Sequence, residues 1–400
     1  MIILKKAFAK IFCVFLAILL LFAGTVSVCA ESDTALINEA ATNADAGKGT
    51  LSLPCASAIL MDAKTGTVIY EQNADEALPP ASVTKIMTLL LVMEAVDAGK
   101  IALGDMVTVS ANAASMGGSQ VYLKEGETMS VEEMLKCVVI ASANDCAVAL
   151  AEYVAGSEEG FVDAMNQRAA ELGMVNTHFE NTNGLDDTAT NHVTSARDIA
   201  IMSRELISHP KILQYSGIWM DTIRDGSFGL TNTNRLVRFY PGCTGLKTGS
   251  TSKAKFCISA TAERDGLSLI CVIMAAQTRD ERNASAVKLL DYGFAGFSSY
   301  HSDAGENTVR VEGGVLPKCQ VRYEEFNALI PKGQSAYVEK LVELPDTLTA
   351  PLLAGDEVGK VAFKLNGEEI GCVPIRVTEP IEKIGFGTLF CRLLSQFLLM

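Results

Sequence analysis

A chain of 400 residues exceeds the usual size of one domain and leaves room for two folded units plus processed or anchoring ends. Hydrophobic residues at 49% and charged residues at 20% describe a globular protein with a sizeable core, and the formal charge of -14 argues against nucleic acid as the main partner. His178, His192, His209 and His301 have no His-Glu-x-x-His spacing and no Cys-x-x-Cys pair accompanies them, so neither a metal nor a cofactor is expected.

The N-terminus reads as an export signal over residues 1–30. Lys5, Lys6 and Lys10 precede an apolar run from Ile11 to Val26, and small residues lead to Val28-Cys29-Ala30. An uncleaved membrane helix is the alternative. Cleavage after Ala30 removes three lysines and no acids, taking the charge from -14 to -17. Residues 31–51 lack a periodic apolar face and read as a flexible leader. Strand-like runs Ala56 to Met61 and Thr67 to Glu71 flank a turn at Asp62 to Gly66. Pro79-Pro80-Ala81-Ser82 then opens Ile86 to Val96, whose apolar density predicts a buried central helix.

From Val131 to about Leu206 the pattern is helical, broken by Ser142-Ala143-Asn144-Asp145. Lys255 to Ala262 and Leu267 to Ala275 form an antiparallel hairpin, and Asn283 to Phe294 carries an apolar helical stripe. Nine cysteines follow the signal at irregular spacing, which does not resemble a disulfide framework. Cys257 and Cys271 lie almost symmetrically about the Glu263 to Gly266 turn; they either face each other or, the preferred reading, are buried apolar thiols. One domain is expected over 52–298. A small β-rich domain over 304–378 is signalled by segments such as Thr308 to Val311, Ala336 to Leu341 and Lys360 to Lys364. Over 380–400 Thr388, Arg392, Ser395 and Gln396 share one helical face of an otherwise apolar stretch, which is short for a span. It is read as an in-plane membrane anchor, with docking onto the protein itself as the alternative.

Chemistry is carried by short motifs that recur, so context selects among them. Ser-x-x-Lys begins at Ser82, Ser208, Ser250, Ser252 and Ser285, but only Ser82 opens a long apolar helix, putting a nucleophile and Lys85 one turn apart on one face. Lys-Thr-Gly occurs at Lys64, in a hairpin turn, and at Lys247, where it runs into the strand pair of a possible cleft wall. Ser-Ala-Asn occurs at Ser110, ending a short strand-like run, and at Ser142, where it breaks two apolar helices. Ser82, Lys85, Ser142, Asn144, Lys247 and Thr248 are therefore the candidate constellation.

Taken with Pro80 to Thr88, Asn144-Asp145-Cys146-Ala147, Asn176 to Phe179, Asn183-Gly184-Leu185 and Gly245 to Gly249, these motifs resemble the serine penicillin-binding enzymes. Ala143 at the middle of the second motif resembles their low-molecular-mass D-alanyl-D-alanine carboxypeptidases. The likeness spans about residues 55–300, and the β-rich segment with Leu353 to Gly359 and the tail also match that layout. The resemblance implies an α/β (α+β) transpeptidase-like fold, an antiparallel sheet with a helical subdomain, followed by an all-β domain and an amphipathic helix.

It further implies that Ser82 attacks the bond between two terminal D-alanines of a peptidoglycan stem peptide. Lys85 takes the proton if burial and Lys247 depress its pKa, although the base is disputed in this class. The N–H groups of Ser82 and Ser250 form an oxyanion hole. Ser142 relays a proton to the leaving D-alanine and Asn144 holds the acyl-chain amide. Lys247, Thr248 and Arg282 face the terminal carboxylate, with a surface role for Arg282 as the alternative, and Gly249 is a further substrate-binding residue. β-Lactams are the expected inhibitors, and the expected location is the outer face of the cytoplasmic membrane, peripherally anchored. Three other readings compete: a silent peptidoglycan-binding or β-lactam-sensing protein, an esterase, and a β-lactamase. No Glu-x-x-Leu-Asn segment supplies the last with a deacylating carboxylate.

Overall fold

The structure, a computed structural model, describes residues 51–187 and 189–398. The predicted signal segment and the leader up to residue 50 lie outside the described residues. Strands β1 (Ser57–Asp62) and β2 (Val68–Gln72) form the expected hairpin, and α1 (Lys85–Asp97) follows a single turn of tighter helix at Ala81–Thr84. Ile86, Met87, Leu89, Leu90, Val92 and Met93 are all buried, because α1 is enclosed on every side instead of lying at a surface.

Helices α2 (Val131–Lys136), α3 (Asn144–Ala155), α4 (Glu158–Glu171), α5 (Ala196–Ile207) and α6 (Pro210–Ser216) build the helical part around α1. The helical expectation fails between α4 and α5. Around Asn176 and Glu180 the backbone is held by side chains, Asp198 accepting from Asn176 N and Glu180 from Thr190 N and Asn191 N, and such Asp and Asn bonding competes with helix.

Strands β3 (Cys243–Thr251), β4 (Lys255–Arg264) and β5 (Leu267–Ala276) complete a five-stranded antiparallel sheet of order β2-β1-β5-β4-β3, and α7 (Arg279–Gly296) follows. α7 begins four residues before the predicted stripe, at a capping box in which Thr278 and Glu281 satisfy each other's backbone N–H. Alternating residues of the central strands feed two cores. Ile59, Ile270, Val272 and Met274 face the helical part, whereas Leu60, Leu269, Cys271 and Ile273 pack with Leu289 and Leu290 of α7. Cys257 belongs to the first core and Cys271 to the second, so these buried free thiols look to opposite faces of the sheet.

The C-terminal part is built from β6 (Phe297–Ser302), β7 (Gly305–Glu312), β8 (Lys318–Tyr323), β9 (Phe326–Pro331), β10 (Val338–Glu343), β11 (Thr347–Thr349), β12 (Glu357–Leu365) and β13 (Glu368–Val377). β6 pairs with β9, and the rest form a six-stranded sheet of order β10-β12-β13-β8-β7-β11 over a core including Val321, Val361, Phe363 and Ile375. Helix α8 (Phe386–Leu398) ends the described chain. It exposes Phe386, Leu389, Phe390, Leu394 and Leu398, while Arg392 donates to the Val315 carbonyl. No helix among the described residues is long and apolar enough to cross a membrane.

Candidate active site

Four segments distant in sequence converge on Ser82. The first is the turn that carries it: Ala81 adopts φ +49°, a left-handed conformation costly for a residue with a side chain, and Lys85 begins α1 one turn later. Lys85 Nζ donates to Ser82 Oγ at 2.9 Å and to the Asn183 carbonyl at 2.7 Å. Its side chain is fully buried. Burial first, and the Lys247 charge second, hold Lys85 well below the ordinary lysine range, with Asp145 acting in the opposite direction.

The second segment follows α2. Residues Cys137–Ala141 widen into a π-helical turn, Ala143 N reaches back to the Cys137 carbonyl, and Ser142 takes φ +64° before α3 starts at Asn144. Such wide turns redirect a side chain that a regular helix would carry past the site. Asn144 donates its backbone N–H to the Ser119 carbonyl and its Nδ2 to that of Gly117, while its buried Oδ1 has no partner among the described residues. Asp145, also buried, accepts from the N–H groups of Val121, Leu123 and Cys146, pinning the 117–123 loop onto the start of α3.

Strand β3 supplies the third. Lys247, fully buried, donates to Ser142 Oγ at 2.8 Å and to the Thr248 carbonyl at 2.9 Å. Burial, then the Arg282 charge, lower its pKa to about 7. Thr248 Oγ1 donates to Thr233 Oγ1 at 2.9 Å, and Ser250 is exposed at the strand's far end. Gly249 lets β3 reach the nucleophile turn: a Cβ there would lie 2.8 Å from both Ser82 N and the Pro80 carbonyl oxygen. Fourth, Arg282 on the first turn of α7 is only 3% exposed, which excludes the surface role, and burial lowers its pKa to about 10. Its guanidinium donates to Asn283 Oδ1 and the Cys257 carbonyl. Among the described residues Lys85, Lys247 and Arg282 form no ion pair with a carboxylate. Lys247 and Arg282, buried bases with no carboxylate partner among the described residues, favour an anionic ligand beside the serine.

The competing motif copies lie in other settings. Lys64 and Thr65 occupy the β1–β2 turn, Ser110 caps a short helix at Ala111–Ala114, and Ser208 donates to the Glu205 carbonyl at the end of α5. Lys253 reaches the Asp186 carbonyl, and Lys288, the partner of Ser285, reaches that of Ser52. Sequence reasoning gave no role to Asp145, Thr233 or the Asn183 carbonyl. Asn144-Asp145 and Asn183-Gly184 stood in family-like runs, which was a usable signal; nothing local marks Thr233.

A serine with a buried lysine one turn on, a second serine on a second lysine, and an antiparallel sheet beside a helical domain define an active-site serine hydrolase of the penicillin-binding type. A profile for the D-alanyl-D-alanine carboxypeptidase family matches residues 41–278, and one for the penicillin-binding protein 5 C-terminal domain matches residues 321–383. The chain is similar to the D-alanyl-D-alanine carboxypeptidase DacF of Bacillus subtilis, 42% identical over 85% of this chain and 89% of that one. Penicillin-binding protein 5 of Haemophilus influenzae superposes with a TM-score of 0.74 at 31% identity, covering 84% of this chain and all of that one. Penicillin-binding protein D2 of Listeria monocytogenes, solved in an ampicillin-bound form, gives 0.57 at 33% identity over 61% of this chain and 99% of its own. The chain belongs to the D-alanyl-D-alanine carboxypeptidase family.

Proposed function

We propose that the chain removes the terminal D-alanine from peptidoglycan stem pentapeptides through an acyl-enzyme on Ser82, and so limits cross-linking. Family membership makes it a serine-type D-alanyl-D-alanine carboxypeptidase, a penicillin-binding hydrolase of the cell wall. The observation that carries the mechanism is the 2.9 Å contact between Ser82 Oγ and a fully buried Lys85 whose pKa is depressed. With Nζ neutral, the same contact reverses: the lone pair accepts the Ser82 proton while an N–H still donates to Asn183.

Ser82 Oγ then bonds to the carbonyl carbon of the penultimate D-alanine. The oxyanion is held by the N–H groups of Ser82 and Ser250, a device typically worth about 100 to 1000-fold per donor. The C–N bond breaks as Ser142, hydrogen-bonded to Lys247, delivers a proton to the departing amine. Lys247, Thr248 and Arg282 bind the terminal carboxylate, and the close approach of Gly249 keeps that strand beside the nucleophile. The unpartnered Asn144 Oδ1 accepts the acyl-chain amide N–H. Water entering as the second nucleophile releases the tetrapeptide. A β-lactam follows the first half, but its leaving nitrogen stays tethered.

The N-terminal signal pattern supports export. The exposed apolar side chains of α8 support attachment to the outer leaflet, with the β-rich domain over 304–378 acting as a spacer for the catalytic domain over 52–298. Mass spectrometry of the protein incubated with penicillin tests the nucleophile: an adduct on the peptide containing Ser82, absent in Ser82→Ala, is expected. A folded protein without an adduct, or one modified elsewhere, contradicts the reading.

A further inference from the structure

His192 lies outside the motifs, is 6% exposed, and is bonded through both ring nitrogens. The Glu180 backbone N–H donates to Nδ1 at 3.0 Å, which fixes Nδ1 as acceptor and places the proton of a neutral ring on Nε2. Nε2 stands 2.7 Å from Thr84 Oγ1, and Thr84 Oγ1 donates to the Ala81 carbonyl at 2.8 Å. The run is therefore directional: Glu180 N–H to Nδ1, Nε2–H to Thr84 Oγ1, Thr84 O–H to Ala81 C=O. It ends on the left-handed residue immediately before Ser82. Gly184 crowds the same carbonyl and the same hydroxyl; a Cβ there would sit 1.9 Å from Ala81 O and 2.9 Å from Thr84 Oγ1.

The support itself is anchored. Val193 and His178 exchange backbone hydrogen bonds, and Thr194 and Leu78 do likewise, tying the histidine's segment to the chain that enters the nucleophile turn. Asn183, beside Gly184, presents its carbonyl to Lys85. The strained Ala81 carbonyl thus meets two buried links, from Thr84 and His192, whose outer end at the Glu180 N–H is part-buried.

We propose that His192, acting through Thr84 and the Ala81 carbonyl, is a positioning residue that fixes the turn carrying Ser82. The inference rests on Ser82 being the nucleophile. The neutral ring is favoured because burial lowers the His192 pKa to about 4; His178 and the Lys85 charge act with burial, and Glu180 and Asp186 oppose it. Protonation would put a donor at Nδ1 against the Glu180 N–H and break the chain.

The test compares penicillin acylation of the full chain carrying Thr84→Val, Thr84→Ser, His192→Phe, and the Thr84→Val/His192→Phe double change. Thr84→Val is expected to slow the acylation step on the order of 100-fold, the scale of a misplaced reacting atom, while affinity for the pre-acylation complex stays within about threefold. Thr84→Ser, which keeps the hydroxyl, should stay within a few-fold of the parent. Residues acting in series predict that the double variant is no slower than the slower single one. Acylation of Thr84→Val at the parental rate, or losses that multiply, overturns the proposal. Imidazole 15N NMR of the unaltered protein is independent of variant folding: a neutral Nε2–H ring persisting from pH 8 to 5 is expected for His192, and an Nδ1–H or cationic ring there overturns it. If Ser82→Ala were still acylated, the nucleophile assignment would fail instead.

Discussion

Asp145→Asn separates the support of the second motif from its chemistry. The buried side chain accepts from three backbone N–H groups, Val121 and Leu123 on the loop and Cys146 on its own helix, at 2.9 to 3.3 Å. Val121 N and Leu123 N converge on one oxygen, and Val121 N and Cys146 N on the other. Whichever way the amide turns, its NH2 faces at least one backbone donor. One charge-assisted bond worth about 1.5–3 kcal/mol is lost and a buried N–H is orphaned, so the expected cost is about 3 kcal/mol. For a domain of this size that is a fall of about 6–12 °C in the thermal midpoint. Asn144 hangs on the same loop through Gly117 and Ser119, so acylation should also slow by about tenfold or more. The assay is thermal unfolding beside the acylation rate of a fluorescent penicillin. A midpoint within about 1 °C of the parent refutes the argument that these bonds hold the loop.

Three further outcomes follow from the geometry. Gly249→Ala forces a Cβ to within 2.8 Å of Ser82 N and the Pro80 carbonyl oxygen, both backbone, so acylation should fall on the order of 100-fold in a chain that still folds; unchanged kinetics would mean that β3 does not register the nucleophile. Because Lys247 titrates near 7 when folded and at the ordinary lysine value when unfolded, the unfolded chain binds more protons above pH 7, and stability should rise with pH there by up to about 1.4 kcal/mol per unit. The unfolded chain's cysteines, which ordinarily titrate at about 8.5, pull the other way equally in both proteins, so between pH 7 and 8 the slope of denaturant-derived stability against pH should be lower in Lys247→Met than in the parent; identical slopes contradict the assignment. Phe386→Ser with Phe390→Ser on α8 should weaken binding to phosphatidylcholine vesicles by about 100-fold or more while D-alanine release persists, since burying each phenylalanine contributes about 1.5–3 kcal/mol; unaltered partitioning refutes the anchor.

Much of this site could be read in the chain because its chemistry sits at element boundaries. Ser82 and Lys85 announce themselves by opening a helix apolar on all sides, and Lys247 by running into a strand pair. What the sequence conceals is the backbone that aims these groups. A π-helical turn at Cys137–Ala141 and positive φ at Ala81 and Ser142 arise from tertiary packing around an otherwise helical apolar pattern. At Asn176, Glu180 and Thr190 the pattern predicts helix for the same reason: their backbone N–H groups go to Asp198, His192 and Glu180, partners that periodicity does not contain. In the β-rich part the predicted strands overlap β7, β10 and β12, whereas β8, β9 and β13 were not singled out. The adjacent apolar residues Ala328, Leu329 and Ile330 in β9, and Gly371 and Pro374 in β13, break the alternation that marks a half-buried strand, whereas in β8 Cys319, Val321 and Tyr323 alternate plainly with Lys318, Gln320 and Arg322.

The most direct test of the central claim is release of D-alanine from diacetyl-L-lysyl-D-alanyl-D-alanine by the unaltered chain and by Ser82→Ala with the same thermal midpoint. Stoichiometric turnover by the first and none by the second is the predicted result; release by the alanine variant, or no release by an unaltered chain that penicillin acylates at Ser82, contradicts the account.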